Sequence, residues 1–210
     1  MKRGAVLLLL LAALGTALYL LRSPPSPAVT PDHPPPPVPR KARQKALLPA
    51  APAEGGGVPE AQVKAALLLQ ILRHTPWPAP DTGKEAAPVL VGVLGISPVG
   101  DELHLTAMDK QIGPRPVRVV RGNDSAELPP CHLLFIPRGW RDDWDLIFPS
   151  VRKSGVLLVG EEEGFLAAGG GIELRIEDRK VRYSMHLGNI RADGLDADPR
   201  LIDLASPLLR

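Results

Sequence analysis

Three consecutive glutamates, Glu161, Glu162 and Glu163, are the densest group of metal-binding side chains in this chain. They follow an apolar run at residues 156–159, and carboxylate oxygens are the ligands that Ca²⁺ and Mg²⁺ prefer. Consecutive residues in a loop point in different directions, however, and no second acidic cluster stands at a fixed spacing from them. The pattern therefore favours a solvated acidic loop, and we expect neither a metal nor a cofactor.

Cys131 and His132 are adjacent residues whose types would suit nucleophilic catalysis. Neighbours in a strand point to opposite faces, so the imidazole cannot act as the base for the thiol. A cysteine that opens a buried strand usually packs as an unreactive side chain. No serine stands in a Gly-x-Ser-x-Gly motif, and the five histidines lack the spacing of metal ligands. We therefore expect no catalytic residues and a protein that is not an enzyme.

Two further motifs each have a structural and a functional interpretation. Residues 169–171 are three glycines that could cradle a phosphate, but they precede a predicted strand and do not open a helix. A turn with positive φ explains them better. Trp77 lies between two prolines, directly after a predicted helix. It either closes the core beneath that helix or faces a partner, because tryptophan is enriched at binding hot spots.

The charges divide the chain into a basic N-terminal region and a slightly acidic remainder. Residues 1–59 contain 7 Lys and Arg against 2 Asp and Glu, whereas residues 60–210 contain 18 against 21. A nucleic-acid-binding domain needs a basic patch of its own, so we expect no nucleic-acid partner. The single cysteine cannot form an internal disulfide.

The N-terminal region is predicted to export and tether the rest. Residues 1–22 combine a basic start with a largely apolar run at 5–21, which is typical of a signal anchor or a signal peptide. Residues 23–59 hold 12 of the 25 prolines and cannot build a core, so we expect a disordered tether. The remainder would be periplasmic, attached to the inner membrane through residues 5–21, or soluble there if the segment is cleaved.

The remaining residues, 60–210, predict one α/β domain with a mainly parallel central sheet flanked by helices. Short apolar runs at residues 89–94, 117–120, 131–136 and 156–159 are typical of buried parallel strands. They alternate with helical patterns at residues 60–73, 98–108 and 144–151. Alternating residues at 172–176 and 181–185 then predict a C-terminal hairpin, and Asp198-Pro199 opens a last helix.

The helical periodicity also predicts which side chains pack inward. They are Val63, Leu67, Leu68, Ile71 and Leu72 in the first helix, Leu103, Ala107 and Met108 in the second, Trp144, Ile147, Phe148 and Val151 in the third, and Leu201, Ile202, Leu204 and Ala205 in the last.

Several of these segments, in order, resemble the YfiR-like (HmsC-like) family of periplasmic proteins. The resemblance covers residues 60–206. It rests on VKAA at 63–66 with Trp77-Pro78, VGVLG at 91–95, CHLLFI at 131–136, residues 156–160 with Gly164-Phe165, GGI at 170–172, VRY at 181–183, Gly194-Leu195 and LIDLA at 201–205.

This resemblance implies a regulator that binds the periplasmic sensor domain of a membrane-bound diguanylate cyclase and so restrains cyclic-di-GMP signalling and biofilm formation. We expect the partner to contact apolar residues near the C-terminal hairpin and helix, with Trp77, Tyr183 and Leu195 as candidate binding residues. The chain departs from the family at Met185-His186, in lacking the cysteines that form disulfides in some members, and in its long tether. The sequence leaves open whether the partners include a second copy of the chain in a homodimer. The alternative is a sensor that binds a small ligand near residues 97–100 and 161–164.

Overall fold

The apolar runs form the parallel centre of an eight-stranded sheet. A computed structural model describes residues 58–77, 87–206 and 208–209, so the predicted anchor and nearly all of the predicted tether lie outside the described residues. The strands are β1 (Val89–Leu94), β2 (Gln111–Ile112), β3 (Arg115–Gly122), β4 (Leu133–Ile136), β5 (Leu157–Gly160), β6 (Ile172–Glu177), β7 (Lys180–His186) and β8 (Leu208–Leu209).

Five helices accompany the strands in the described part of the chain. They are α1 (Glu60–His74), α2 (Pro98–Ala107), α3 (Trp144–Val151), α4 (Leu187–Ala192) and α5 (Pro199–Leu204), and single 3₁₀ turns lie at Ser125–Glu127 and Arg141–Asp143. Both α2 and α5 begin with a proline at the first helical position. The residue before it, a serine in α2 and an aspartate in α5, caps the helix with its side chain.

The sheet has the strand order β2-β3-β1-β4-β5-β6-β7-β8. The five strands from β3 to β6 in this order are parallel, β2 and β7 are antiparallel to β3 and β6, and β8 is parallel to β7. The predicted α/β fold with its C-terminal hairpin and helix is confirmed. Because β1 has β3 on one side and β4 on the other, the strand order reverses there, and such folds bind ligands outside the carboxyl ends at that point.

Two layers of apolar side chains cover the two faces of the sheet. On one face, α1 and α2 pack onto alternate strand residues such as Val91, Val93 and Phe135. On the other face, α3 packs onto Leu134 and Ile136. Burial on both faces explains why the central strands are continuously apolar in the sequence.

Three side chains predicted to pack inward are exposed instead, so the prediction was wrong for them. Val63 is 36% exposed, Met108 59% and Leu204 72%. The helix α2 ends at Ala107, and Leu204 is the last residue of α5, so both side chains lie where a helix leaves the core. In α1 the buried stripe passes through Lys64 and not through Val63.

The turn with positive φ predicted at residues 169–171 is present at Gly169. Gly169 has φ +116°, a conformation that L side chains rarely adopt. A Cβ on Gly170 would overlap the ring of Phe165, so this position also requires the absence of a side chain.

No helix of the described residues is both long and apolar enough to cross a bilayer. The apolar run at residues 5–21, for which a membrane anchor is predicted, lies outside this part of the chain.

Candidate partner-binding surface

The hairpin of β6 and β7 extends beyond the carboxyl end of the parallel strands. β6 pairs with β5 only through Ile172 and Glu173, whereas it pairs with β7 over six residues. The turn residues Asp178 and Arg179 have φ of +49° and +60°, the conformation of a tight hairpin turn of type I′. We call residues 174–183 the arm.

Tyr183 holds α5 against the arm. Its side chain is 4% exposed, and its hydroxyl donates a hydrogen bond of 2.6 Å to the carbonyl of Leu201. Burial raises the pKa of Tyr183 to about 12. The backbone N–H of Ser206, after α5, donates to the carbonyl of Tyr183 at 3.0 Å. Tyr183 thus positions the C-terminal helix from within the core.

The other two candidate binding residues lie in different surroundings. Leu195 is 5% exposed and belongs to the core beneath α1 and α2. Trp77 is half-buried, donates its indole N–H to the carbonyl of Leu72 at 2.7 Å, and contacts the ring of His132 edge-on at 5.4 Å. These contacts are those of a packing residue. A role in partner binding for Trp77, Tyr183 and Leu195 stays a prediction.

α1 runs antiparallel to the parallel strands and brings its first turn to the same edge as the arm. Lys64 in this turn contacts Glu161, which directly follows β5, whereas Trp77 lies beside His132, just before β4. α1 also packs against α5 and β7. The start of α1, the arm and α5 therefore lie together near the carboxyl ends of the parallel strands.

Exposed apolar side chains occur on each of these three elements. Ile176 on the arm is 39% exposed, Leu204 on α5 is 72% exposed, and Val58 and Val63 at the start of α1 are 66% and 36% exposed. We call these four residues the arm surface. Exposed apolar side chains on adjoining elements are a common feature of protein-binding sites.

An ion pair fixes the start of α1 to the sheet. Lys64 is 1% exposed, and its Nζ lies 2.5 Å from an Oε1 atom of both Glu161 and Glu60. The Glu161 side chain is itself 8% exposed. The predicted solvated loop is therefore wrong for Glu161, whose carboxylate neutralises a buried ammonium. Of its neighbours, Glu162 accepts a hydrogen bond from Gly139 N at 3.0 Å, and Glu163 is exposed.

Sequence reasoning missed this pair, although the helical pattern contains a signal for it. Lys64 stands four residues before Leu68, so it can share the stripe that continues to Leu72. A buried ammonium needs an anionic partner. The pattern cannot say which of the acidic residues supplies it.

The residues of the alternative small-ligand site, 97–100 and 161–164, include several that make internal contacts. A Cβ on Gly95 would lie 2.9 Å from Cζ2 of Trp140, so the indole rests against the backbone at the end of β1. Ser97 is 4% exposed, and its Oγ accepts a hydrogen bond from Gly100 N at 3.0 Å, which caps α2. Among the described residues, no group of three His, Cys, Asp or Glu could hold a metal ion.

Cys131 and His132 make separate contacts, as their opposite orientations predict. Burial raises the pKa of the Cys131 thiol. His132 Nδ1 accepts a hydrogen bond from Leu90 N at 3.1 Å, and its Nε2 lies 2.7 Å from Arg115 Nη2. Burial and, secondarily, the positive charge of Arg115 lower the pKa of His132. His132, which directly precedes β4, thus joins that strand to β1 through the hydrogen bond from Leu90 N.

Comparisons with known proteins place the chain in one family. A search of curated proteins found no significant match. The model of the YfiR/HmsC-like family, however, matches residues 61–206, more than two thirds of the chain. This match includes α1, the parallel sheet, the arm and α5. The chain therefore belongs to the YfiR/HmsC-like family.

Proposed function

We propose that this chain is a non-enzymatic periplasmic regulator that represses a membrane-bound diguanylate cyclase by binding the cyclase's periplasmic sensor domain. The observation that carries the proposal is membership of the YfiR/HmsC-like family, whose members are periplasmic regulators and not enzymes. The activity being controlled would be the synthesis of cyclic-di-GMP, and through it the formation of biofilm.

The arm surface is the contact region that the structure favours for this role. Its apolar side chains are exposed, while the polar groups beneath it are engaged internally: Lys64 with Glu161, and the Tyr183 hydroxyl with Leu201. A surface built on such fixed elements loses little conformational freedom on binding, which favours affinity. The predicted tether also joins the domain here, because Pro59 directly precedes α1.

Repression requires the regulator to bind one state of the partner more tightly than the other. A protein with equal affinity for the active and inactive states would shift no population, however tightly it bound. A preference of roughly 100-fold for the inactive state, about 2.7 kcal/mol, is enough for a visible effect.

Gene deletion tests the proposal directly. Deleting the gene should raise cyclic-di-GMP and biofilm matrix, and the increase should vanish when the cyclase is deleted as well. Unchanged cyclic-di-GMP after the single deletion, in every growth condition tried, would contradict the proposal.

The location of the domain is part of the same proposal. The domain would lie in the periplasm, held near the inner membrane by residues 5–21 or released after their cleavage. Alkaline phosphatase fused after Arg210 should be active, because that enzyme functions only outside the cytoplasm. Activity of a cytoplasmic reporter at the same position, with an inactive phosphatase fusion, would reverse the assignment.

A further inference from the structure

The described residues leave most of the outer edge of β3 open. β3 is eight residues long and pairs with β1 over six of them. On its other side, β2 pairs with only Arg115 and Pro116. An open strand edge presents N–H and C=O groups that another strand can bind.

Two hydrogen bonds show which backbone groups of β3 point outward. Val117 N donates to Lys110 O, on the β2 side, and Gly95 N donates to Gly122 O, on the β1 side. Because backbone direction alternates along a strand, the N–H and C=O groups of Val119 and Arg121 also point outward. Apart from β1 on the inner side, no described segment pairs with β3 at Val119 or Arg121.

A groove of about 490 Å³ lies beside this edge, between β3 and α2. It is lined by Asp101, His104, Leu105, Val119 and Arg121. Leu105 is 61% exposed, and Arg121 forms an ion pair of 2.7 Å with Asp101. Extended peptides bind to such edges through backbone hydrogen bonds, with alternate side chains in the adjoining groove.

The charges of β3 indicate what kind of strand would pair with it. The strand contains three arginines and no acidic residue. The Val117 and Val119 side chains belong to the face covered by α2, so Arg118 projects from the opposite face and is exposed. A second copy of this strand would bring three more arginines to the edge, whereas acidic side chains would be attracted to Arg118.

We propose that the outer edge of β3 binds an extended segment of another protein in which apolar and acidic residues alternate. The apolar side chains would enter the groove beside Leu105 and Val119, and the acidic ones would face Arg118. This site goes beyond the proposed function, because β3 and the arm strands β6 and β7 lie toward opposite ends of the strand order. Either can stand if the other fails.

The test is a selection of random twelve-residue peptides displayed on phage against the purified full-length chain. We expect the enriched peptides to alternate apolar and acidic residues and to lack proline at their centre. In hydrogen exchange, the bound synthetic peptide should protect the amides of Val119 and Arg121. An absence of enrichment, or protection confined to other amides, would overturn the proposal.

Val119→Pro is the decisive variant, since it removes an N–H that points away from β1 and leaves the β1–β3 hydrogen bonds intact. It should weaken binding of the selected peptide by about tenfold or more, whereas the matched control Val119→Thr retains the donor and should bind normally.

Arg118→Glu, at an exposed side chain, should weaken binding of the acidic peptide and strengthen binding of the same peptide with its acidic residues replaced by lysine. Equal binding by all variants would refute the proposal. So would a concentration-dependent dimer that Val119→Pro abolishes, since a second copy would then be the occupant.

Discussion

Lys64 and Glu161 form an ion pair of 2.5 Å although 97 residues separate them in the sequence. Both side chains are nearly inaccessible to solvent. The pair joins α1 to the loop after β5, and a second carboxylate, Glu60, approaches the same ammonium from the exposed side. The contact therefore sets where the first turn of α1, and with it part of the arm surface, lies relative to the sheet.

Removing one member of this pair should destabilise the fold more than removing both. Lys64→Met leaves the Glu161 carboxylate buried with its main partner gone, and we expect a loss of about 3–5 kcal/mol of unfolding free energy. The double variant Lys64→Met with Glu161→Gln should recover part of it. Urea unfolding of the four chains gives the coupling energy. The control Glu163→Gln, at an exposed position, should change stability by less than about 0.5 kcal/mol. Strictly additive effects would mean that the pair contributes nothing.

The arm surface should matter for repression, and an exposed leucine elsewhere on the protein should not. Leu204→Asp places a charge on α5, where the side chain is 72% exposed, so the fold should tolerate it. Leu146→Asp is the matched control on α3, against the opposite face of the sheet, with 57% exposure. We expect Leu204→Asp alone to raise cyclic-di-GMP toward the level of the gene deletion. Equal effects of the two variants, at equal protein abundance, would count against the arm surface.

Tyr183 should make stability fall at high pH. Its pKa is about 12 in the folded protein, and the ordinary value of tyrosine is about 10. Between these values the unfolded chain has released the phenol proton and the folded chain has kept it, so stability decreases as the pH rises through this interval. Tyr183→Phe should remove that decrease and, by losing the hydrogen bond to Leu201, should cost about 1 kcal/mol at neutral pH. Denaturant unfolding from pH 7 to 11 measures both effects.

His132 should make stability fall on mild acidification. Its pKa lies below the ordinary value of about 6.5 in the folded protein, because of burial and the neighbouring Arg115. Below pH 6.5 the unfolded chain therefore binds a proton that the folded chain does not, and stability decreases with falling pH until the folded pKa is reached. His132→Gln should flatten this dependence between pH 5 and 7. A slope identical to that of the unsubstituted chain would exclude His132 as its source.

Cys131 should react slowly with alkylating agents in the folded protein. Burial raises the pKa of its thiol, and only the thiolate is nucleophilic. Iodoacetamide at pH 7.5 should modify the chain much faster in 6 M urea than in buffer, as followed by mass spectrometry. Equal rates in the two conditions would show that the thiol is accessible in the native state.

The sequence by itself determined the class of fold and most of its elements. Apolar runs such as residues 89–94 and 156–159 predicted buried parallel strands, because such strands are covered on both faces and cannot alternate. The hairpin was equally clear, since residues 172–176 alternate where one face meets solvent. The described elements that escaped the pattern are short, namely β2, α4, β8 and the two 3₁₀ turns, because two to six residues are too few for a period to show.

The tertiary structure alone decided which residues meet. Val63 and Lys64 are adjacent on α1, and the structure buries the lysine and exposes the valine. Burial of the lysine depends on Glu161, whose carboxylate lies beside it. Likewise, the hydrogen bond of Tyr183 and the burial of Leu195 follow from how α5 and the loop before it fold back onto the sheet. Local patterns record the preference of each residue for water or core, but the partner of a buried charge is set by long-range packing.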